Sequence, residues 1–313
     1  MAKQKQKAKQ DKSHIFLDGY VAPWGSLGII AYPNALKNNE EFTTFYVTNP
    51  QQIWAYEKTN FQSSSNLGLF DNSIPTWFLL GKRGEVVQFA KTQTVQIVQT
   101  QIPDAGTGRN RYGYVNKIAN IAGKLYVCGY GRQVYKQENN KWIHIDKGMI
   151  LPPGTLGKSL QSIDGFSTND IYAVGLDGEI WHYDGKQWHA IQSPTNQHLH
   201  EVCCCANGWV YACGGGGVVL KGRDGKWEII ENKIFLQENI WGLAYFRNNI
   251  YVAACGGIAI IENNKLKLID TGIKNIVGGK LRAGAEKLYY IEGDHIYEFD
   301  GTKWEEMICP DNK

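Results

Sequence analysis

The sequence has no long run of apolar residues. Its apolar stretches are strand-length segments such as residues 77–80, whereas a membrane-spanning helix needs about 20 apolar residues. The first thirteen residues alternate Lys, Gln and Ala, and no apolar segment follows them, so they lack the pattern of a secretory signal. These absences predict a cytoplasmic protein with no membrane contact.

The sequence also lacks a strong excess of charge of one sign, and its number of cysteines is not even. Five lysines fall within residues 1–13, and the rest of the chain carries 28 Lys and Arg against 29 Asp and Glu. A nearly neutral body does not favour nucleic acid as a partner. Only the basic tail, residues 1–13, could contact RNA, and its composition predicts a disordered segment. Seven cysteines, an odd number, are typical of a reducing compartment.

A β-rich unit of about forty residues recurs along the chain. Its clearest copy, residues 171–191, reads IYAVGLDGEIWHYDGKQWHAI and predicts three strands, with a two-residue hairpin turn at Asp184-Gly185. Asp224-Gly225 and Asp300-Gly301 are predicted to form equivalent turns. The tyrosine of the unit recurs at 126, 172, 211, 251 and 289, and its tryptophan at 142, 188 and 227. This period, with several strands per unit, is typical of a β-propeller.

Two weaker copies, around Tyr46 and Trp77, bring the number of units to seven. We therefore predict an all-β fold, a seven-bladed β-propeller of four-stranded antiparallel blades. It would form a single domain over residues 14–313, with repeats at about 24–308. Apolar segments ahead of the repeats predict the innermost strands at 27–32, 114–121, 160–166, 202–206, 240–246 and 280–284, with a poor candidate at 67–70 for the second blade.

The chain ends are expected to close the ring. Residues 13–21 form a strand candidate ahead of the first blade, and residues 303–308 form the final strand. A terminal strand that completes the last blade removes exposed sheet edges, so we expect these two segments to meet there. The polar stretch 60–66, which contains three serines, is predicted to be a surface loop.

The unit resembles kelch, Asp-box and WD40-like propeller repeats. One unit is similar to a shortened kelch blade: it has IYAVG at 171–175, followed by YDG at 183–185 and Trp188. Gly-Gly pairs at 214–215 and 256–257 match the double glycine of kelch repeats. No unit has the Gly-His and Trp-Asp pairs of WD40 repeats. This resemblance implies the fold, which hosts enzymes, lectins and scaffolds alike.

Binding residues are expected on one end of the ring. We define the upper face as the end that carries the blade-to-blade connectors and the turns between the second and third strands of each blade. Loops on a rigid scaffold carry binding, and aromatic residues and Arg are the usual anchors of interfaces. Trp241 could alternatively be part of the core. The candidates are Arg109, Arg111, Tyr112, Tyr114, Lys158, His198, His200, Glu201, Trp241 and Lys280, with Arg282 further down an inner strand.

Signals for an enzyme or a metal site are few. His198 and His200 would share one face of a strand and could chelate a metal, but no third ligand has a convincing spacing. No Gly-x-Ser-x-Gly motif occurs. The run 203–205 holds three cysteines, of which Cys203 and Cys205 would point one way and Cys204 the other, a poor chelate that favours packing. We predict no catalytic residue, metal or cofactor.

The predicted function is therefore non-enzymatic. We expect a monomeric propeller that binds another protein through its upper face. Such a chain resembles the immunity proteins that neutralise delivered toxins, and this resemblance implies a face that caps the toxin. Two alternatives remain open: a carbohydrate-binding or metal-dependent propeller enzyme or lectin centred on His198, His200, Glu201 and Trp241, or an assembly scaffold of a larger complex.

Overall fold

The computed structural model describes residues 14–33, 41–91, 95–155 and 157–312. Across these ranges, the strands form seven four-stranded antiparallel sheets, and each sheet uses four strands that are consecutive in the chain. The predicted seven-bladed propeller is thus confirmed. No helix in the described ranges is long and apolar enough to cross a membrane. The predicted tail, residues 1–13, lies outside the described residues.

Blades 1 to 3 contain the first twelve strands. They are β1 (His14–Val21), β2 (Leu27–Pro33), β3 (Thr43–Thr48) and β4 (Trp54–Thr59) in blade 1, β5 (Ser63–Asp71), β6 (Ile74–Gly81), β7 (Glu85–Lys91) and β8 (Val95–Gln101) in blade 2, and β9 (Val115–Ile121), β10 (Lys124–Gly129), β11 (Val134–Glu138) and β12 (Lys141–His144) in blade 3.

Blades 4 to 7 follow the same plan. Blade 4 has β13 (Leu160–Ser167), β14 (Asp170–Gly175), β15 (Ile180–Tyr183) and β16 (Trp188–Ile191), and blade 5 has β17 (Leu199–Cys204), β18 (Val210–Gly214), β19 (Val219–Arg223) and β20 (Lys226–Ile229). Blade 6 has β21 (Gly242–Phe246), β22 (Asn249–Ala254), β23 (Gly257–Glu262) and β24 (Lys265–Leu268), and blade 7 has β25 (Lys280–Ala283), β26 (Leu288–Glu292), β27 (His295–Phe299) and β28 (Trp304–Met307). Short 3-10 turns cover Leu176–Gly178, Gly215–Gly217 and Pro310–Asn312.

The repeated aromatic residues fill the space between neighbouring blades, which we call a seam. In blade 4, Ile171, Tyr183 and Trp188 lie side by side across three strands. Trp188 is only 7% exposed and packs against residues of blade 3, such as Tyr126. Each seam buries apolar surface from both of its blades, which is the main stabilising contribution in such a ring.

The predicted hairpin turns are of two kinds. Asp224 and Gly225 both have positive φ, 48° and 80°, so this two-residue turn matches the prediction. At Asp184 the prediction is wrong, because the loop has four residues, with Tyr183 paired to Trp188. There the Asp184 carboxylate accepts the backbone N–H groups of Lys186 and Gln187 at 2.8 and 2.9 Å. Asp300 accepts Thr302 and Lys303 in the same way.

The prediction of how the ring closes was wrong. Residues 13–21 were expected to complete the last blade, but β1 is the innermost strand of blade 1, and the segment predicted as that inner strand is β2. The ring closes without strand exchange, through hydrogen bonds between its two ends. Phe16 N–H donates to Gly293 O at 2.6 Å, and His14 N–H donates to Asn312 Oδ1 at 2.8 Å.

The serine-rich stretch predicted as a surface loop is also part of an inner strand. Ser63, Ser65 and Asn66 are buried in β5. Neighbouring blade 1 supplies polar partners: Ser63 N–H donates to Thr43 Oγ1 at 2.8 Å, and Asn66 Nδ2 donates to Gly28 O at 3.0 Å. These bonds satisfy the Ser63 backbone N–H and the amide nitrogen of Asn66, whereas the Ser63 and Ser65 hydroxyls have no hydrogen-bond partner within the described chain.

Candidate functional site

A strip of charged residues runs across the upper face from blade 3 to blade 5. Arg132 Nη2 lies 2.6 Å from Glu179 Oε1, and Lys158 Nζ lies 3.2 Å from the same oxygen. Lys158 also donates to Asp177 Oδ2 at 3.0 Å, and Asp177 N–H donates to His198 Nδ1 at 2.9 Å. This charged strip (Arg132, Lys158, Asp177, Glu179 and His198) contains two predicted candidates, Lys158 and His198.

The charged strip is held in place by its own contacts. The hydrogen bond from Lys158 lowers the pKa of the Asp177 carboxyl. Burial alone would raise the pKa of Glu179, but the bonds from Arg132 and Lys158 outweigh it and lower that pKa. The Arg132 guanidinium also lies 5.1 Å from the centroid of the Trp181 ring, a cation–π distance. The strip therefore presents fixed charges to a partner and needs little reordering on binding.

Three side chains from successive blades stack at the upper mouth of the central channel. The His200 ring of blade 5 lies on the Trp241 ring of blade 6, with centroids 4.0 Å apart and planes 14° apart. Lys280 Nζ of blade 7 lies 5.4 Å from the Trp241 centroid. Trp241 is 39% exposed, so it is not a core residue. We call this group the channel-mouth stack.

Burial lowers the pKa of His200 to about 4, so its ring is neutral at pH 7. Its Nε2 atom is buried, with no hydrogen-bond partner within the described chain. Burial also lowers the pKa of Lys280, and the opposing effect of the Glu201 carboxylate, whose Oε2 atom is 3.7 Å away, does not outweigh it. The stack thus combines an exposed aromatic edge with two polar groups that have unused hydrogen-bonding capacity.

Below the stack, a buried charge cluster spans the channel. Arg282 Nη2 lies 2.6 Å from Asp18 Oδ1 and 3.0 Å from Glu201 Oε2, and Lys117 Nζ lies 3.2 Å from Glu201 Oε1. These four residues come from blades 1, 3, 5 and 7. Since removal of one partner from a buried ion pair strands the other charge, the cluster ties four blades together.

The cluster keeps its carboxylates ionised. Burial alone would raise the pKa values of Asp18 and Glu201, but the positive charges of Arg282 and Lys117 outweigh it, and both pKa values are lowered. Ser162 Oγ donates a further hydrogen bond to Glu201 Oε1 at 3.0 Å. Glu201 and Arg282 were predicted as binding candidates. Both are buried inside the ring, where they hold blades together.

The lower half of the channel holds a cavity of about 270 Å³ lined by Tyr20, Asn120, Asp164 and Cys203 among others. Asp164 accepts the N–H groups of Cys204 and Gly165 at 2.7 and 2.8 Å. Burial raises the pKa of its carboxyl to about 6. This carboxyl is therefore the acidic group of the channel that titrates closest to neutral pH.

The connector between blades 2 and 3 places four further candidates on the upper face. Arg109 is exposed, whereas Arg111, Tyr112 and Tyr114 are half-buried. Arg111 Nη1 donates to Ala105 O at 2.8 Å, inside the same connector. Tyr112 and Tyr114 make edge contacts with His144 and Tyr130, respectively. These three therefore fix the shape of the connector, and Arg109 projects from it.

The possible metal site at His198 and His200 is not assembled. His198 turns to Asp177 of blade 4, and His200 stacks on Trp241 of blade 6. The reason is a register shift in β17 between Leu199 and Glu201, since a β-bulge re-aims the side chains beside it. Within the described ranges, no group of three His, Cys, Asp or Glu residues is placed to hold a metal ion.

The cysteine run has the predicted alternation. Cys203 and Cys205 point the same way, with their sulfur atoms 3.4 Å apart, and both pack in the seam between blades 5 and 6. Cys204 packs on the opposite side, against blade 4. Burial raises the pKa of Cys204, which keeps it a thiol and favours packing over thiolate chemistry.

Sequence reasoning missed several residues of this region. Asp18, Lys117 and Asp164 are isolated charges in inner strands, and Arg132 and Glu179 lie in or beside short turns. A charged residue within an inner strand must find a partner across the channel. This rule could have indicated Asp18 and Lys117, but their pairing depends on which blades face each other.

The Tsi7 immune protein of Pseudomonas aeruginosa is 38% identical to this chain over 228 residues, which cover 72% of this chain and 73% of Tsi7. This chain belongs to the Tsi7 family. The membership agrees with the resemblance to immunity proteins and with a propeller that binds a protein. No protein-family model matches the chain.

Several solved structures share the fold of this Tsi7 relative. YCF48 from Cyanidioschyzon merolae has a TM-score of 0.64 at 11% identity, and the match covers 93% of this chain and 95% of that one. The extracellular domain of BT4673 from B. thetaiotaomicron has a TM-score of 0.61 at 14% identity; the match covers 92% of this chain but only 38% of that one. At such identities the likeness concerns the fold alone.

Proposed function

We propose that this member of the Tsi7 family is an immunity protein that binds a cognate toxin and neutralises it by capping it with the upper face. The observation that carries the proposal is the 38% identity to the Tsi7 immune protein over most of both chains. In this proposal the protein acts without catalysis and in the cytoplasm. The seven free thiols of the described chain support that compartment.

The toxin would contact two fixed features of the upper face. The charged strip offers paired charges of both signs, which favour a partner with complementary charges and fix its orientation. The channel-mouth stack offers the exposed edge of Trp241 and the ammonium group of Lys280 beside that ring. Tryptophan is a frequent anchor of interfaces, so we expect Trp241 to contribute the most to binding.

The first experiment identifies the partner and its effect. The tagged full-length chain is used for affinity capture from its native host, and each stoichiometric partner is then expressed with and without this chain. We expect a partner that arrests growth when expressed alone and is harmless when co-expressed. A set of subunits from one large assembly would instead support a scaffold, and a partner without toxicity would contradict immunity.

The second experiment tests the surface with two matched variants. Trp241→Ala on the upper face should weaken toxin binding about 30-fold, or roughly 2 kcal/mol, as removal of an interface anchor does. Trp209→Ala is the control, because Trp209 is 42% exposed in a loop on the lower face. Equal effects of the two substitutions would refute the upper face as the binding surface while leaving the immunity function intact.

A further inference from the structure

One row of residues differs between blade 2 and the rest of the ring. The outer strand of each blade places one residue in the seam to the preceding blade. In blades 3 and 4 these residues, Trp142 and Trp188, are each only 7% exposed. The equivalent residue of blade 2 is Ile97, which lies beside Phe89 and Trp77 and is 57% exposed. The remaining four are buried or half-buried: Trp54, Trp227, Leu266 and Trp304.

The seam beside Ile97 is consequently open. A groove of about 540 Å³ separates the outer parts of blades 1 and 2. It is lined by apolar side chains that include Phe45, Val47 and Phe89. Ile53 lies at its edge and, at 68% exposed, is among the most exposed large apolar residues of the described chain. Exposed apolar patches of this kind mark interaction sites.

The edge of the sheet beside this groove is also unprotected. Strand β8 has seven residues, VQIVQTQ, and no charged side chain. Five of the other six outer strands carry Lys or Glu, and the sixth, β16, has only four residues. Lysine and short length are the usual devices that protect an edge strand from pairing with another chain. Strand β8 has neither, and its uncharged composition is typical of segments that pair with identical copies.

We propose that β8 and the adjacent groove form a homodimer interface, in which β8 pairs antiparallel with β8 of a second copy. Pairing about the central Val98 brings no like charges into opposition. A two-fold interface must contain both raised and recessed parts, and this patch has both: the projecting Ile53 and the groove itself. This inference replaces the sequence-based expectation of a monomer.

Other occupants fit the groove less well. Residues 1–13 carry five lysines and no aromatic or branched aliphatic residue, which does not suit an apolar groove. The proposed toxin surface lies on the upper face, whereas the groove opens at the rim of the ring, near loops of the lower face such as the one that holds Trp24. The dimer would therefore leave both upper faces free for toxin.

Sedimentation velocity of the full-length chain over a concentration series tests the dimer. We expect a reversible monomer–dimer equilibrium, and Val98→Lys should raise its dissociation constant at least about tenfold, because two ammonium groups would meet at the two-fold axis. The matched control is Ile229→Lys on β20, since Ile229 and Val98 are 51% and 50% exposed. This control should dimerise like the native chain.

A second variant separates pairing from folding. Gln99→Lys changes an exposed polar residue of β8 and should also weaken the dimer while leaving the thermal unfolding of dilute protein unchanged. A native chain that stays monomeric at every concentration overturns the proposal, as does a dimer weakened equally by Val98→Lys and Ile229→Lys. If the chain is monomeric and bound toxin protects β8 amides from hydrogen exchange, the groove belongs to the toxin instead.

Discussion

Blades 3 to 7 and blades 1 and 2 use the same repeat in different ways. In blades 3 to 7 a Trp or Leu of the outer strand fills the seam to the preceding blade, and the outer strands are short. In blades 1 and 2 the outer strands are longer, and the seam between them is open along its outer part. The regular blades thus supply stability, and the irregular pair exposes apolar surface that the ring does not use.

This contrast suggests a rule: residues that recur in every blade stabilise the ring, and residues that depart from the repeat are available for binding. A residue that recurs in every unit at one position satisfies a requirement of the ring, which is the same in each blade. A departure from the repeat, such as Ile97 in the place of Trp188, removes a contact within the ring and leaves surface available for a partner. The open half is therefore where the sequence pattern is weakest.

The largest expected effect comes from a matched pair of truncations. Trp188→Ala should lower the free energy of unfolding by about 3–5 kcal/mol, because it leaves a cavity in a closed seam and removes the indole hydrogen bond to Ile145 O, 2.9 Å long. Ile97→Ala should cost less than about 1 kcal/mol, because Ile97 is already exposed. Urea denaturation of dilute protein measures both. Similar losses would refute the distinction between closed and open seams.

One carboxyl of the closed half, Asp164, should make the stability of the fold depend on pH. Because the folded state raises the pKa of Asp164 to about 6, this carboxyl stabilises the fold below its ordinary pKa of about 4, and that contribution disappears as the pH rises through 6. The loss is on the order of 3 kcal/mol. Asp18 and Glu201, whose pKa values are lowered, act in the opposite direction and at lower pH.

Asp164→Asn isolates this contribution. The difference in unfolding free energy between the native chain and the variant should change steadily between pH 4 and pH 7 and then level off. A difference for Asp164→Asn that does not vary with pH would mean that this carboxyl is ionised throughout.

The smallest expected effect is a gain. Ile97→Trp restores in blade 2 the residue type that blades 1, 3, 4, 5 and 7 have in this row, and should stabilise dilute protein by about 0.5–1 kcal/mol through filling of the groove. Ile229→Trp, at an exposed position outside the row, should have no effect. A loss of stability with Ile97→Trp would show that the groove differs in shape from the closed seams.

Much of the fold could be predicted from the sequence because the repeated tyrosine and tryptophan occupy the same strands in successive blades. In blades 3 to 7 the innermost strands lie within a few residues of their predicted positions. Blade 1 was misread because Leu27 and its neighbours are as apolar as an inner strand, so β2 was taken for the strand that β1 supplies. Blade 2 was misread because the backbone of Ser63 and the amide of Asn66 in β5 are hydrogen-bonded to another blade, which a local sequence pattern does not indicate.

The candidate site could be predicted only in part. Four candidates lie on the upper face, as predicted: His198, His200, Trp241 and Lys280. Each lies just before an inner strand or at its start, and the inner strands begin at that face. Their mutual contacts could not be predicted, because the bulge in β17 turns His200 toward Trp241 and away from His198. The ion pairs of Asp18 and Lys117 depend on the geometry across the channel, which no local pattern encodes.

The way the ring closes makes each blade one uninterrupted segment of chain. His14 and Asn312 are hydrogen-bonded to each other at 2.8 Å, and among the described residues no strand is shared between the first and last blades. The gene can therefore be reopened at any connector and its former ends joined by a short linker, with all seven sheets kept whole. Insertion or loss of a blade during evolution would likewise require a single change in one continuous stretch of DNA.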